Sequence, residues 1–159
     1  MLRIAGLSLV LICSVGIGFY TSRLQKTALE QAKNMLDFMY YIKQQIEFFN
    51  TPLNDIYSSF NNQNQLFSSL VKDISTNGWN IAVRNQNELY IPKNFLSIIN
   101  EFGNVLGKTE RKDQLEKCDY YIKEFEQKYK ELEQKTPQKT KTTLALCFYV
   151  GLMIIILFL

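Results

Sequence analysis

The residues most able to do chemistry in this 159-residue chain are three cysteines and a series of carboxylates near its C-terminal end. Cys13, Cys118 and Cys147 are odd in number and have no paired spacing, which argues against a disulfide framework and against zinc. We interpret them as small apolar residues. Histidine is absent, so the commonest metal ligand and the best proton carrier near neutral pH are both missing.

The carboxylates of the last third are spaced to pair with lysines rather than with each other. An acid stands four residues before a lysine at five places: Asp113/Lys117, Asp119/Lys123, Glu124/Lys128, Glu126/Lys130 and Glu131/Lys135. Such pairs lie on one helix face and stabilise it by about 0.2–0.5 kcal/mol each, so we interpret them as a solvated face. The chain also lacks a Walker A loop, a G-x-G-x-x-G motif and a nucleophile elbow. We therefore predict no catalytic residue, no metal, no cofactor and no enzyme activity.

Charge and apolar residues are distributed unevenly along the chain. Of 18 Lys and Arg residues, only Arg3 lies outside residues 21–141, and all 15 acidic residues lie inside that range. The middle region is therefore close to neutral. It has no basic cluster interleaved with aromatic residues, so we expect no nucleic-acid partner.

Both ends of the chain are apolar enough to enter a membrane. Ile4–Tyr20 contains 17 uncharged residues, the lower limit for a spanning helix, and 142–159 is of similar length. We predict transmembrane helices at 4–20 and 142–159, with membrane lipid as a partner. The alternative for the first run is a secretory signal, although no small-residue cleavage pattern follows it.

The flanking positive charges predict how these spans are oriented. Arg23 and Lys26 follow the first span, and Lys139 and Lys141 precede the second, whereas only Arg3 stands on the far side. Positive charge is retained on the cytoplasmic side of a membrane. We therefore expect 21–141 to be cytoplasmic, with both termini outside.

Two heptad patterns predict the frame of this middle domain. The first runs through Ala28, Ala32, Met35, Met39, Ile42, Ile46 and Phe49, and the second through Leu115, Cys118, Ile122, Phe125, Tyr129 and Leu132. Steps of three and four residues place each set along one helix face, called here a seam. Because one helix leaves the membrane and the other returns, we predict an all-α domain built on a long antiparallel pair.

Turn residues divide the segment between the seams into short helices. Apolar residues at helical spacing predict helices over 53–60, 66–74 and 92–106. The pattern over 79–88 is ambiguous and favours a short helix with Trp79, Ile81, Ala82 and Val83 partly buried. Thr51 is expected to cap the first, with Pro52 in its first turn, and Gly107 to close the last. Pro137 predicts a kink or break in the returning helix, or a flexible link over 136–142.

Four stretches together resemble the stage III sporulation protein AB family. They are "GIGFYTSRL" at 16–24, "IEFFNTPLNDI" at 46–56, "FGNVLGKTERKDQ" at 102–114, and the apolar run 151–157 that begins with Gly-Leu. Their order and spacing hold over nearly the whole chain. The family has an acid close behind the L-G pair, and the sequence leaves open whether Glu110 or Asp113 takes that place.

The resemblance implies a helical membrane protein of the mother cell, in the membrane that faces the forespore. It implies membership of a secretion-like assembly, with a soluble domain similar to cytoplasmic domains of type II secretion and type IV pilus platform proteins. The implied partners are a cytoplasmic secretion-type ATPase and other membrane subunits of the complex.

These inferences lead to two functional hypotheses. The first is a non-enzymatic platform that docks the ATPase through its two turns, at Asn50, Thr51, Pro52, Leu53, Gly107, Glu110, Asp113 and Gln114. Several of these residues also have structural roles, as a helix cap or a helix stop. The alternative is a structural adaptor that forms homo-oligomers through exposed seams and has no motor partner.

Overall fold

A computed structural model describes residues 2–49, 51–60, 65–85 and 89–158, without the side chains of 2–5, 7, 8, 10, 11, 65, 66 and 158. The elements are α1 (Leu2–Gln44), a π-helical segment (Gln45–Phe49), α2 (Leu53–Ser59), α3 (Gln65–Asn77), α4 (Trp79–Asn85), α5 (Lys93–Val105) and α6 (Arg111–Phe158). All regular structure within the described ranges is helical, which confirms the predicted all-α class.

The chain divides into two compact units. Unit 2 is Ala28–Glu131, and unit 1 combines Met1–Thr27 with Leu132–Leu159. Unit 1 contains six of the 18 basic residues and one of the 15 acids, Glu133, so its formal charge is +5. Unit 2 contains the other 12 basic and 14 acidic residues and has a charge of −2. Positive charge is therefore concentrated in the unit that contains the apolar ends.

The two seams pair with each other inside unit 2. Lys43 Nζ lies 2.6 Å from Asp119 Oδ1, and the Tyr40 hydroxyl donates to Glu126 at 3.3 Å, so α1 and α6 run antiparallel here. The hydrogen bond to Asp119 raises the pKa of Lys43, because it stabilises the charged ammonium. The seam residues that are buried are Ala28, Ala32, Met35, Met39, Ile42, Ile46, Cys118, Ile122 and Phe125.

The interpretation of the cysteines as small apolar residues is confirmed for one of the three, Cys118. Its side chain is fully buried, and this burial raises the pKa of the thiol to about 12, so the thiol is neutral under physiological conditions. Cys13 is exposed and Cys147 is half-buried.

An aromatic cluster centred on Phe38 joins α1 to the short helices. The Phe38 ring lies 4.7 Å from that of Phe60, 5.9 Å from those of Phe67 and Trp79, and 6.2 Å from that of Tyr57. Trp79 Nε1 donates to the Tyr57 hydroxyl at 3.0 Å, which gives the buried indole N–H its acceptor. Phe38 is fully buried although it lies off the predicted seam, because the short helices cover a second face of α1.

Proline residues begin two of the short helices. Pro52 and Pro92 occupy the N-cap positions of α2 and α5 in extended geometry, and neither helix has a side-chain cap. The Pro52 carbonyl accepts the Ile56 N–H at 3.1 Å and starts the α2 ladder. The predicted Thr51 cap is wrong, since Thr51 stands one position too early and its hydroxyl donates to Gln45 Oε1 at 3.3 Å.

The ambiguous segment 79–88 forms a short helix, as predicted, as far as Asn85, and 86–88 lie outside the described residues. Trp79, Ala82 and Val83 are buried, whereas Ile81 is 51% exposed, so its predicted partial burial is wrong. Residues at steps of three and four share a helix face, and Ile81 lies on the opposite side.

The last helix continues through Pro137, so the predicted break and the flexible link are wrong. Proline removes the N–H that would bond to the Glu133 carbonyl, but this is one hydrogen bond in a helix of 48 residues. Just before it, the Thr136 hydroxyl donates to the Leu132 carbonyl at 2.6 Å.

Gly103→Ala should destabilise the protein, because an added Cβ would lie 2.6 Å from the Trp79 Cβ in a packed interior. We expect a loss of about 1–3 kcal/mol in the free energy of unfolding, measured by chemical denaturation of the full chain in detergent. Ser97→Ala, at an exposed site on the same helix, is the control. An unchanged stability for Gly103→Ala would show that Trp79 does not pack against α5 as described.

Candidate functional site

The two turns predicted as a contact site meet around a small hollow in unit 2. Its volume is about 150 Å³, and it lies between the π-helical segment, the start of α2 and the turn between α5 and α6. The lining residues are Ile46, Thr51, Leu53, Gly107, Arg111 and Gln114. Segments more than 50 residues apart in the sequence therefore form one surface.

The predicted contact residues divide into three groups. Thr51, Leu53, Gly107 and Gln114 line the hollow; Pro52, Glu110 and Asp113 are exposed and lie outside its lining; Asn50 lies outside the described residues. The structure therefore brings the two turns together, while their role in binding a partner stays a prediction.

Gln114 lies in the first turn of α6, and Glu110 immediately precedes that helix. Gln114 is only 7% exposed, and its backbone N–H donates to the Glu110 carbonyl at 2.9 Å. The Gln114 side chain thus contributes mainly to packing. Glu110 is exposed and leaves its carboxylate accessible.

Gly107 closes α5 as predicted, and its position excludes larger residues. Its φ is +73°, a left-handed conformation that glycine adopts without steric cost. The Lys108 N–H donates to the Val105 carbonyl at 3.3 Å across this turn. A Cβ at Gly107 would lie 3.0 Å from Leu53 Cδ1, so the two turns approach each other closely here.

Arg111 is a structural link that the sequence analysis missed. Its guanidinium donates to the Glu47 carbonyl in the π-helical segment and so ties the start of α6 to the end of α1. The π-helical partner of that carbonyl, five residues on, is Pro52, which has no N–H to donate. The signal in the sequence was an arginine in the first turn of a helix, where the helix dipole does not favour a cation.

Phe48 and Phe49 form an exposed aromatic pair beside the hollow, at 68% and 67% exposure. The seam pattern predicts a buried Phe49, and this prediction is wrong. The wider turn of the π-helical segment displaces the residues that follow it around the helix axis. The sequence did contain a signal for this exposure. Phe48 and Phe49 are consecutive, and a seam on one helix face can bury only one of two consecutive residues.

Within the described ranges, no group of three or more His, Cys, Asp or Glu side chains is placed to hold a metal ion. The same residues include one helix, Arg111–Leu157 of α6, that is long and apolar enough to cross a membrane by length and composition. The structure does not describe several side chains of the predicted span at 4–20, so this span stays a prediction.

The described residues thus form an all-helical protein with a compact helical unit and one helix of the length and apolar composition of a membrane span. The family model for stage III sporulation protein AB matches residues 3–159. The chain belongs to the stage III sporulation protein AB family, which confirms the resemblance seen in the sequence. No curated protein and no solved structure matches it.

Gly107→Ala should destabilise the protein by about 1–2 kcal/mol, since a side chain is strained at positive φ and the added methyl group presses on Leu53. In a Leu53→Ala background the steric part of this cost should disappear while the backbone part remains. The measurement is a double-mutant cycle on the free energy of unfolding. An equal cost in both backgrounds would mean that the two turns do not touch at this point.

Proposed function

We propose that this protein is a non-enzymatic membrane scaffold in a secretion-like complex between mother cell and forespore, where it docks a cytoplasmic secretion-type ATPase. Other membrane subunits of the same complex are its neighbours. The observation that carries the docking proposal is the exposed pair Phe48–Phe49 beside the two converging turns. Membership of a sporulation family and the platform resemblance supply the kind of partner.

The surface around this pair has the composition of a docking site. Aromatic residues are enriched at protein interfaces and commonly carry much of the binding energy. The second turn contributes exposed polar residues, namely Glu110, Lys112 and Asp113. Arg111, between them in the sequence, bonds to the carbonyl of Glu47, the residue before Phe48. An apolar centre with a charged rim favours a specific protein partner over general adhesion.

Two membrane spans are supported by the surface of unit 1. Both of its helical segments present large apolar side chains outward, including Ile12, Ile17, Phe19, Tyr149, Met153 and Ile156, each at least 60% exposed. The segments also pair closely: the Ser14 hydroxyl donates to the Cys147 carbonyl, and a Cβ at Gly18 would lie 3.2 Å from Cys147 Cβ. A close helix pair with an apolar exterior suits a bilayer.

The proposed orientation follows from the basic residues that flank these spans. Arg23 and Lys26 on α1 and Lys139 and Lys141 on α6 all lie on the side toward unit 2 in the sequence. This arrangement supports a cytoplasmic unit 2, with both termini outside, in the mother-cell membrane facing the forespore.

The alternative of a self-associating adaptor has less support. Both seams are already covered within the chain, since Met35, Met39, Ile42, Cys118 and Phe125 are fully buried. Self-association through the seams would require unit 2 to open. The exposed aromatic pair offers a docking surface that does not require unit 2 to open.

Phe48→Ser combined with Phe49→Ser should weaken capture of the secretion-type ATPase by the full chain in detergent about tenfold or more. Thermal unfolding should be unchanged, because both side chains are already exposed. Ile81→Ser, an exposed apolar residue elsewhere in unit 2, is the matched control.

Joint charge reversal of Glu110, Lys112 and Asp113 should also reduce this capture, by disturbing the rim. Undiminished binding by both the aromatic and the charge-reversal variants would remove this surface from the proposal.

Protease added outside sealed protoplasts of vegetative cells that express the full chain should leave unit 2 intact, and permeabilisation should permit its digestion. The expected result follows from a cytoplasmic unit 2 and is checked by immunoblotting for fragments. Digestion in sealed cells would mean that the orientation is reversed.

A further inference from the structure

Unit 1 contains an open cavity, lined by residues with polar or charged side chains, that the proposed scaffold role does not use. Its volume is about 360 Å³, space for about ten water molecules. The lining residues are Gln25, Lys135, Gln138, Lys139, Thr142 and Thr143. At its edge the Thr140 hydroxyl donates to Gln25 Oε1 at 3.2 Å, which fixes the Gln25 amide between the two helices.

We propose that this cavity binds the phosphate group of an acidic phospholipid. The inference rests on the membrane insertion included in the proposed function. Lys135 and Lys139 supply ammonium donors, and the amides of Gln25 and Gln138 supply neutral ones. Lys135 stands four residues after Glu131, and its three N–H donors allow it to bind a phosphate as well as a carboxylate. A phosphate offers only acceptor oxygens and negative charge, so it complements this set of donors.

The α6 residues of the cavity form a continuous face. Lys135, Gln138, Lys139, Thr142 and Thr143 stand at relative positions 0, 3, 4, 7 and 8 in the sequence, so successive helical turns present them to the same side. Gln25 on α1 completes the site from across the pair. The site therefore combines two exposed lysines of α6 with an amide of α1.

The position of the cavity along the chain favours a lipid over a soluble phosphate. Its lining ends at Thr143, and the following residues 144–157 contain no charged side chain. Leu146, Val150 and Met153 are exposed on this apolar stretch, where acyl chains attached to a bound headgroup can lie. Basic pockets between spanning helices at the cytoplasmic side bind such anionic headgroups.

The charge of unit 1 strengthens the preference for anionic over zwitterionic lipid. Six basic residues and one acid give this unit +5, while unit 2 is −2. The general charge attracts any anionic surface, and the cavity adds directed donors at one place. These two contributions can be separated by variants that remove the same charge at different positions.

The test measures phospholipid retained by the purified full chain after exchange into micelles doped with phosphatidylglycerol or, separately, phosphatidylcholine. Wild type should retain phosphatidylglycerol preferentially. Lys135→Gln with Lys139→Gln should lower this retention more than tenfold, at about fivefold for each lysine. The matched control, Lys26→Gln with Lys141→Gln, removes two charges from unit 1 outside the cavity and should lower it less than threefold.

Gln25→Met tests for a built site without changing the charge. It removes the amide that Thr140 holds in the cavity, and phosphatidylglycerol retention should fall at least threefold. Equal losses in the cavity and control lysine variants, together with no loss for Gln25→Met, would overturn the proposal in favour of diffuse attraction.

Two further results would also overturn it. One is wild-type retention without preference for phosphatidylglycerol. The other is displacement of the lipid by millimolar inorganic phosphate, which would identify a soluble phosphate as the ligand. Extraction of cell membranes with alkaline carbonate checks membrane insertion separately. If the chain resists extraction but shows no lipid preference, only the proposed lipid site is refuted. If the chain is extracted, the proposed membrane scaffold is refuted as well.

Discussion

The packing of Trp79 between Phe38 and Gly103 is the constraint on which unit 2 depends. Trp79 stacks on Phe38 of α1, meets Phe102 of α5 edge-on at 5.7 Å, and donates to Tyr57 of α2. The absent side chain at Gly103 provides the space for the indole. Because interiors are close-packed, one large side chain in this position determines how several short helices lie against α1.

This arrangement has a direct consequence for the candidate docking surface. With α2 packed against Phe38 of α1 and α5 packed against Trp79 of α4, Gly107 after α5 comes close to Leu53 at the start of α2. Arg111 then bonds to the Glu47 carbonyl, and the π-helical segment directs Phe48 and Phe49 outward. The exposed aromatic pair thus depends on how the chain ends its first long helix, where Pro52 prevents regular continuation.

Much of the fold was predictable from the sequence because it depends on local periodicity. Heptad spacing identified the buried seam residues, and proline and glycine marked where α2, α5 and their turns begin or end. Errors arose where a neighbour decided the outcome. Ile81 and Phe49 are apolar and lie near buried positions, yet both are exposed, since none of the described elements covers their side of the helix. Phe38 and Gln114 show the reverse case and are buried by elements distant in sequence.

The sequence by itself determined the helical class, the apolar ends, the distribution of charge and the family, because these depend on residue type and spacing along the chain. Tertiary structure alone decided which residues share a surface. The hollow between the two turns and the cavity of unit 1 each combine residues more than 50 positions apart. Their shape follows from side-chain packing between helices. The spacing of residues along the sequence does not give the distances between residues on different helices.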